Sequence, residues 1–302
     1  MVSQFQLSIY HLELFWRTHE FLELFLEFPY QIHTQEGIVE NPSVKAVSFT
    51  GSTRVGKLIA KTCGEQMKKV SLELGGKNPF IITENANIEA AVSTAMRAAF
   101  TNQGQVCLCG SRIYIHESIY NQVKTQLIEK LKTLIPSDPK EKSSRFGSLT
   151  SKSHFDKVNN YLEMAKRDPS IKLHLFDHNI QFGNFISPAL LENVPPDHAI
   201  NQEEIFGPIA TLQSYSSEDE LINLANNTEY GLCASIYSQD KDQAKRLASK
   251  IEAGIVWINT WLERDLRTPF GGAKASGFGR EGGNYALNFF TETKNICIPE
   301  EK

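Results

Sequence analysis

Two cysteines one residue apart, Cys107 and Cys109 in the stretch NQGQVCLCGSRIY, are the residues of this chain best suited to covalent chemistry. A thiol becomes a nucleophile when it is exposed and has thiolate character, and a helix end beside a glycine-bordered turn provides both. The same pair offers two metal ligands, or two small side chains that fill a core. No second cluster of Cys or His stands at zinc-like spacing, and His116 is the only imidazole nearby in the chain, so a metal site is poorly supported. Taken alone, the pair leaves nucleophile and core filler both open.

A carboxylate with matching chemistry lies upstream. Glu73, in LELGGKNP, closes an apolar run beside two glycines. At a strand end, partly withdrawn from water, its pKa would rise and fit it to take a proton from water. The plainer reading is a rim carboxylate that neutralises Lys68 or Lys69. Further upstream, in FTGSTRVGK, Gly51 permits a tight turn, and the amides that open the following helix form an anion site able to take a cofactor pyrophosphate. Gly51, Gly56 and Lys57 nearly spell a nucleotide P-loop, but Leu58 stands where Ser or Thr must hold magnesium. A simple strand-to-helix turn fits this segment equally well.

These residues need elements to hold them. VKAVSF reads as a strand ending at Gly51, and Val55, Leu58, Ile59 and Thr62 recur at the spacing of a helix with one buried face. VSLEL and PFIIT read as strands. Ile88, Ala91, Val92, Ala95, Met96 and Ala99 mark the buried face of a helix that delivers the chain to Asn102, and the IYIHE around His116 reads as a strand. A second helix buries Ile119, Val123, Leu127, Leu131 and Leu134. Ser217 with Glu220 forms a capping box, Ala244 to Ile251 reads as a helix closed by Gly254, and GIVWIN as a strand. Strands alternating with helices predict an α/β fold with a mostly parallel sheet covered on both faces.

Composition narrows the partners. The 302 residues carry 31 Lys and Arg against 35 Asp and Glu, a formal charge of −4, with no long basic run to attract nucleic acid. Five scattered cysteines suit reduced thiols in a cytoplasmic setting better than a disulfide framework. Residues 1–33 are rich in Phe and Leu, but Glu13, Arg17, Glu20, Glu23 and Glu27 interrupt them, so no stretch approaches the ~20 apolar residues of a membrane span. They also lack the pattern of a secretory signal. Leu14, Arg17, Phe21, Leu24 and Phe28 predict a short helix there, packed on the body or on a partner.

Taken together the motifs resemble a family. FTGS, LELGGKNP, NQGQVC, EEIFGP and PFGGAKASGFGRE occur in the order and at close to the distances seen in aldehyde dehydrogenases, with Glu73 and Cys107 separated by 34 residues. The resemblance begins near Glu36 and runs to the C-terminus. GQVCLCGSRIYI, IPSDP and WLERDLRTPFGG are most similar to the 2-aminomuconic semialdehyde dehydrogenase branch, which handles small aldehydes carrying carboxylates.

The resemblance implies roles. Cys107 matches the catalytic nucleophile, and Cys109 a position where the family often has a small residue. Glu73 matches the base that activates water against a thioester. Ser52, with Gly51 and Leu74, matches the contacts to the cofactor, NAD; Glu204 matches the carboxylate that holds the nicotinamide ribose, and Phe206 its packing neighbour. Phe270 resembles a substrate-pocket aromatic. Arg264 is a candidate fork-shaped donor to a substrate carboxylate; a surface arginine near Glu263 and Asp265 is the simpler alternative.

The implied architecture is an atypical segment over 1–33, a truncated Rossmann-like NAD-binding domain over 34–74, an α/β catalytic domain over 75–274, and a C-terminal return over 275–302. A strand near 293–298 resembles the family's oligomerisation strand and implies a homo-oligomer. Nothing upstream of FTGS resembles the family stretch that carries an oxyanion-hole asparagine and an adenosine-binding lysine. Loss of one oxyanion donor costs on the order of 10² to 10³ in rate. Two expectations follow: an NAD-dependent aldehyde dehydrogenase, or a catalytically impaired, truncated relative that serves as a structural or interaction protein.

Overall fold

The chain alternates short, β-branched strands with amphipathic helices. In the computed structural model, which describes residues 33–176 and 183–299, they fall into two compact units. The first comprises Leu74–Arg264 and Gly272–Ser276; the second holds the described residues before Leu74 together with Asp265–Gly271 and 277–299. The strands are β1 (Ala46–Thr50), β2 (Lys69–Glu73), β3 (Pro79–Ile82), β4 (Arg112–His116), β5 (Lys172–Leu175), β6 (Ala189–Glu192), β7 (Ile209–Tyr215), β8 (Tyr230–Gly231), β9 (Cys233–Tyr237), β10 (Ile255–Ile258), β11 (Ala273–Lys274) and β12 (Gly277–Phe278). The helices are α1 (His33–Glu40), α2 (Thr53–Glu65), α3 (Ile88–Phe100), α4 (Tyr120–Leu131), α5 (Lys152–Arg167), α6 (Ala199–Gln202), α7 (Glu218–Asn226), α8 (Lys241–Lys250) and α9 (Gly283–Phe290). The helix expected around Leu14 to Phe28 lies outside the described residues.

The first unit is built on a seven-stranded sheet in the order β10-β9-β3-β4-β7-β6-β5, parallel except for the β5–β6 pair. Every residue of β3 and β6 is buried, as a strand covered on both faces requires. On one side Ile81, Tyr114 and Ile236 pack with Leu221 and Ala225 of α7 and Ala244 and Leu247 of α8. Arg112, only 2% exposed, ties this sheet to the end of α7: its guanidinium donates to the carbonyls of Leu224 and Ala225, to the Tyr114 hydroxyl and to the Lys77 carbonyl. Those helix-end carbonyls would otherwise lack donors.

Helix α3 buries Ala91, Val92, Ala95, Met96 and Ala99, and α4 buries Val123, Leu127 and Leu131, as their periodicity predicts, whereas Ile88 is half-buried and Ile119 and Leu134 are half-buried outside α4. Three details differ. In α2 the buried residues are Gly56, Ile59 and Cys63, while Leu58 is 57% exposed, because the helix turns its glycine rather than its leucine inward. The α7 cap is only half the expected box: Ser217 Oγ accepts from Glu220 N–H, but the Glu220 carboxylate accepts from Ser216. Helix α8 ends at Lys250 rather than Ile251, and Gly254 does not close it. Its N–H instead donates to Gly231 C=O at the entry to β10.

The second unit is a three-stranded sheet, β1-β2-β12, with β1–β2 parallel and β12 antiparallel to β2. Lys68 caps α1 by donating to the carbonyls of Val39 and Asn41. Gly277 has φ +119°, and a Cβ there would stand 1.9 Å from the Leu72 carbonyl oxygen that it pairs beside. Gly277→Ala is therefore expected to cost about 3 kcal/mol of stability, read as a lower urea midpoint; an unchanged midpoint would show that β12 does not hold this sheet. Residues 291–299 form no strand within the chain, so the strand expected near 293–298 is not seen here. Among the described residues no helix is long and apolar enough to cross a membrane.

Candidate active site

The glycines of LELGGKNP are required by what lies against them. A Cβ on Gly75 would stand 2.4 Å from the Glu204 carboxylate, and one on Gly76 would stand 2.8 Å from the Cys107 carbonyl. Gly76 N–H donates to Glu204 Oε1 at 2.9 Å. This bare stretch of backbone thus brings Glu204 and the Cys107 loop to its two sides within the first unit.

The cysteine loop is held in an uncommon conformation. Asn102, Gln103 and Gly104 have φ of 51°, 56° and 71°, so three successive residues in left-handed geometry swing the chain away from α3. A Cβ on Gly104 would meet the Gly207 carbonyl at 2.2 Å, so only glycine lets the loop lie on the EEIFGP segment. Asn78, 3% exposed, then clamps the loop: its Nδ2 donates to the carbonyls of Cys107 and Cys109 at 2.8 and 2.9 Å, and its Oδ1 accepts from Cys233 N–H at 3.1 Å.

Burial separates the two cysteines chemically. Cys107 is half-buried, whereas Cys109 is 7% exposed, and burial pushes its thiol up to about 12. Burial likewise raises Cys63, and Cys233 is sealed in the sheet with its Sγ toward Leu108 C=O at 3.6 Å. Alkylation at neutral pH is therefore expected to modify Cys107 at least ~10-fold faster than Cys63, Cys109 or Cys233. Peptide mass spectrometry reads the rates, and equal rates would remove the case for a reactive Cys107.

Helix α5 fastens the EEIFGP segment with one stripe. His154 Nε2 bonds the Phe206 carbonyl at 2.6 Å, Lys157 Nζ donates to the Glu204 carbonyl at 2.8 Å, and Tyr161 OH donates to the Glu203 carboxylate. Val158 packs where a Cβ on Gly207 would have to sit, 2.7 Å away. Phe206 takes a φ of 60°, and its ring meets His154 edge-on with centroids 6.0 Å apart. Burial raises the Glu204 pKa, opposed by the Gly76 N–H and by Lys157 and Lys77; burial lowers that of His154. Glu204 lines a small cavity with Gly76, Lys77, Cys109 and Phe206.

Leu74 is buried in the first unit, its N–H bonded to Ser276 C=O. Arg264 is exposed, in the loop after β10. The remaining candidates belong to the second unit. Glu73 is half-buried at the end of β2, in register with Thr50 and Gly277. Ser52 caps α2, its Oγ accepting from Val55 N–H, and Gly51 closes over the buried Phe49 ring, 2.5 Å from where its Cβ would be. Phe270 is 6% exposed and exchanges two backbone hydrogen bonds with Glu281. Asp265, near Arg264 in sequence, pairs with Arg267. Asn78, His154, Lys157 and Lys77 carry structure around the site that sequence reasoning did not single out; the spacing of Val158, Tyr161, Leu162 and Ala165 behind the Ser151 cap was the available signal for α5.

Residues 29–296 match the aldehyde dehydrogenase family, and the chain belongs to it. Its α/β architecture, with cofactor and catalytic portions, is that family's. Within the family the chain is closely related to the 2-aminomuconic and 2-hydroxymuconic semialdehyde dehydrogenases. It is 43% identical over 274 residues to a 2-aminomuconic semialdehyde dehydrogenase of Danio rerio and 40% identical to that of Homo sapiens, each alignment covering 87% of this chain and 55% of the relative. An NAD+ complex of aldehyde dehydrogenase from Bacillus cereus is similar with a TM-score of 0.82 at 37% identity, over 85% of this chain and 52% of that one. Betaine aldehyde dehydrogenase from Staphylococcus aureus, also in complex with NAD+, gives 0.79 at 34%, over 84% and 51%. The chain spans about half the length of these relatives.

Proposed function

We propose that this chain carries the chemistry of an NAD-dependent aldehyde dehydrogenase that converts an aldehyde to a carboxylic acid through a thioester on Cys107. The observation that supports it most is the contrast between the two cysteines, one half-buried on a clamped loop and the other sealed as a thiol. In this reading the Cys107 thiolate attacks the carbonyl carbon, the C–S bond forms, and the carbonyl π pair moves onto the oxygen, whose negative charge re-forms the C=O bond when hydride leaves. NAD+ when bound supplies the acceptor for the hydride that leaves this carbon, which turns the thiohemiacetal into a thioester. Glu73 takes a proton from water as its oxygen attacks the thioester, and the C–S bond breaks to release the acid and the thiol.

Glu204 fits the cofactor's ribose. A carboxylate whose pKa is raised by burial gains from further donors, and a ribose diol offers two. The N-terminus of α2 at Ser52, with Gly51 before it, is assigned to the pyrophosphate, Leu74 to the cofactor, and Phe206 to the nicotinamide side. The relatives' names support a small carboxylated semialdehyde as substrate, with Arg264 as its anchor and Phe270 as a pocket wall. Reduced cysteines support a cytoplasmic setting, and the exposed 291–299 segment a homo-oligomer.

The test is NADH formation from NAD+ and a panel of aldehydes with and without a carboxylate. Turnover with a preference for carboxylated aldehydes is expected; silence from a folded chain would favour the non-catalytic alternative. Glu73→Gln is expected to slow thioester hydrolysis on the order of 10²-fold or more while the first burst of NADH persists. If burst and steady state fell together, Glu73 would not be the base.

A further inference from the structure

The Lys77 side chain has no part in the chemistry above, yet its place is unusual. It is 2% exposed, follows the diglycine, and lines with Glu204, Gly76 and Cys109 a cavity with room for a water molecule. Among the described residues no oxygen accepts a hydrogen bond from its Nζ. Buried ammonium groups are almost always paired, so this one must be solvated within the cavity, lose its proton, or serve a neighbour. Its charged neighbours come from three elements. Arg112 on β4 and Lys157 on α5 repel it, whereas Glu203 and Glu204, after α6, attract it; the Cys109 thiol stays neutral. Burial and then Arg112 bring Lys77 down to about 7, with Glu204 holding it up, and burial pushes Glu204 the opposite way with Lys77 among the groups resisting. Each group's charge is thus supported by the other's.

We propose that Lys77 is a positioning residue that acts through Glu204: its ammonium, hydrated in the cavity both groups line, keeps that carboxylate ionised and able to accept hydrogen bonds from a diol. The consequence for cofactor binding rests on the ribose role proposed for Glu204; the coupling between the two side chains does not. The ammonium matters most between the titration of the carboxyl and its own. Below that window Glu204 is protonated regardless, and above it the carboxylate is ionised without help.

The experiment is carbon NMR of the intact chain with carboxyl-labelled glutamate, the Glu204 signal being identified by its loss in Glu204→Gln. In Lys77→Met the Glu204 midpoint is expected to move to higher pH. In the wild type the same signal should show a second inflection near neutral pH as Lys77 releases its proton, a reading that does not depend on Lys77→Met folding. A Glu204 signal with one midpoint, unmoved in Lys77→Met, would overturn the proposal. NAD binding separates this from the ribose assignment. If Lys77→Met weakens it ~10-fold at pH 6 but adds nothing to Glu204→Gln, both stand. Additive losses would show that Lys77 does not act through Glu204. If Glu204→Gln leaves binding intact while the NMR shift persists, the ribose role alone fails.

Discussion

Cys107→Ala is expected to remove aldehyde-dependent NADH formation altogether, a loss on the order of 10⁵- to 10⁶-fold, the scale seen when an enzyme's only nucleophile is deleted. The size of the effect rests on the three buried thiols, Cys63, Cys109 and Cys233, being unable to substitute. Cys109 is two positions along the same loop, but burial holds it as a neutral thiol up to about 12, where its thiolate fraction at neutral pH is negligible. Cys63 has its pKa raised by burial within the second unit, and Cys233 is 2% exposed on β9. The variant should fold: the Asn78 clamp grips the backbone carbonyl of Cys107, not its sulfur, so alanine keeps every hydrogen bond of the loop that is assigned here to Asn78. Circular dichroism and a urea midpoint within about 1 kcal/mol of the wild type would show that. Residual turnover above one-thousandth of the wild-type rate in Cys107→Ala would mean that the covalent step is elsewhere or absent.

Why the sequence resolved some of this and not the rest is visible in particular residues. The diglycine at Gly75 and Gly76 could be read as a chain break in an apolar run, but its cause, a carboxylate 128 positions away from Gly76, is a tertiary fact. Strands β3, β4 and β10 and the faces of α3 and α4 follow local periodicity, so they were legible. Helix α2 was legible as a helix but not in its rotation, since Leu58 outranks Gly56 in hydrophobicity and yet the close approach of backbone favours the glycine inside. Asn78 and His154 had no local signature, because an amide that bonds Cys107, Cys109 and Cys233 at once gains its meaning only when β3, β9 and the cysteine loop converge. Lys77 was hidden for the same reason: a lysine beside glycines reads as surface until the fold closes over it. The left-handed run from Asn102 to Gly104 sits where the chemistry is placed, as strained backbone tends to.

Acid stability supplies the second large effect, and it lies away from the candidate site. Glu192, at the end of β6, is 5% exposed and is reached by four donors: Tyr120 OH and Lys124 Nζ at 3.0 Å on one oxygen, His174 Nε2 at 2.7 Å and Lys172 Nζ at 3.3 Å on the other. Burial alone would raise this carboxyl, but the hydrogen bonds from His174, Lys124 and Tyr120 outweigh it and hold the group at about 2. A carboxylate whose folded pKa is depressed contributes stability that is fully present above its unfolded pKa of ~4.3 and is lost as pH falls toward its folded one. The depression of roughly two units corresponds to about 3 kcal/mol at neutral pH, released between about pH 5 and pH 2. Glu192→Gln should therefore lower stability by about 3 kcal/mol at pH 7, since it also leaves the Lys124 ammonium facing a neutral amide in a mostly buried site. The difference from the wild type should shrink steadily through that acid window and vanish near pH 2. Urea unfolding at a series of pH values reads both curves. A constant gap at all pH values would show that the substitution acts through packing, and that the Glu192 cluster does not set the acid limit of this fold.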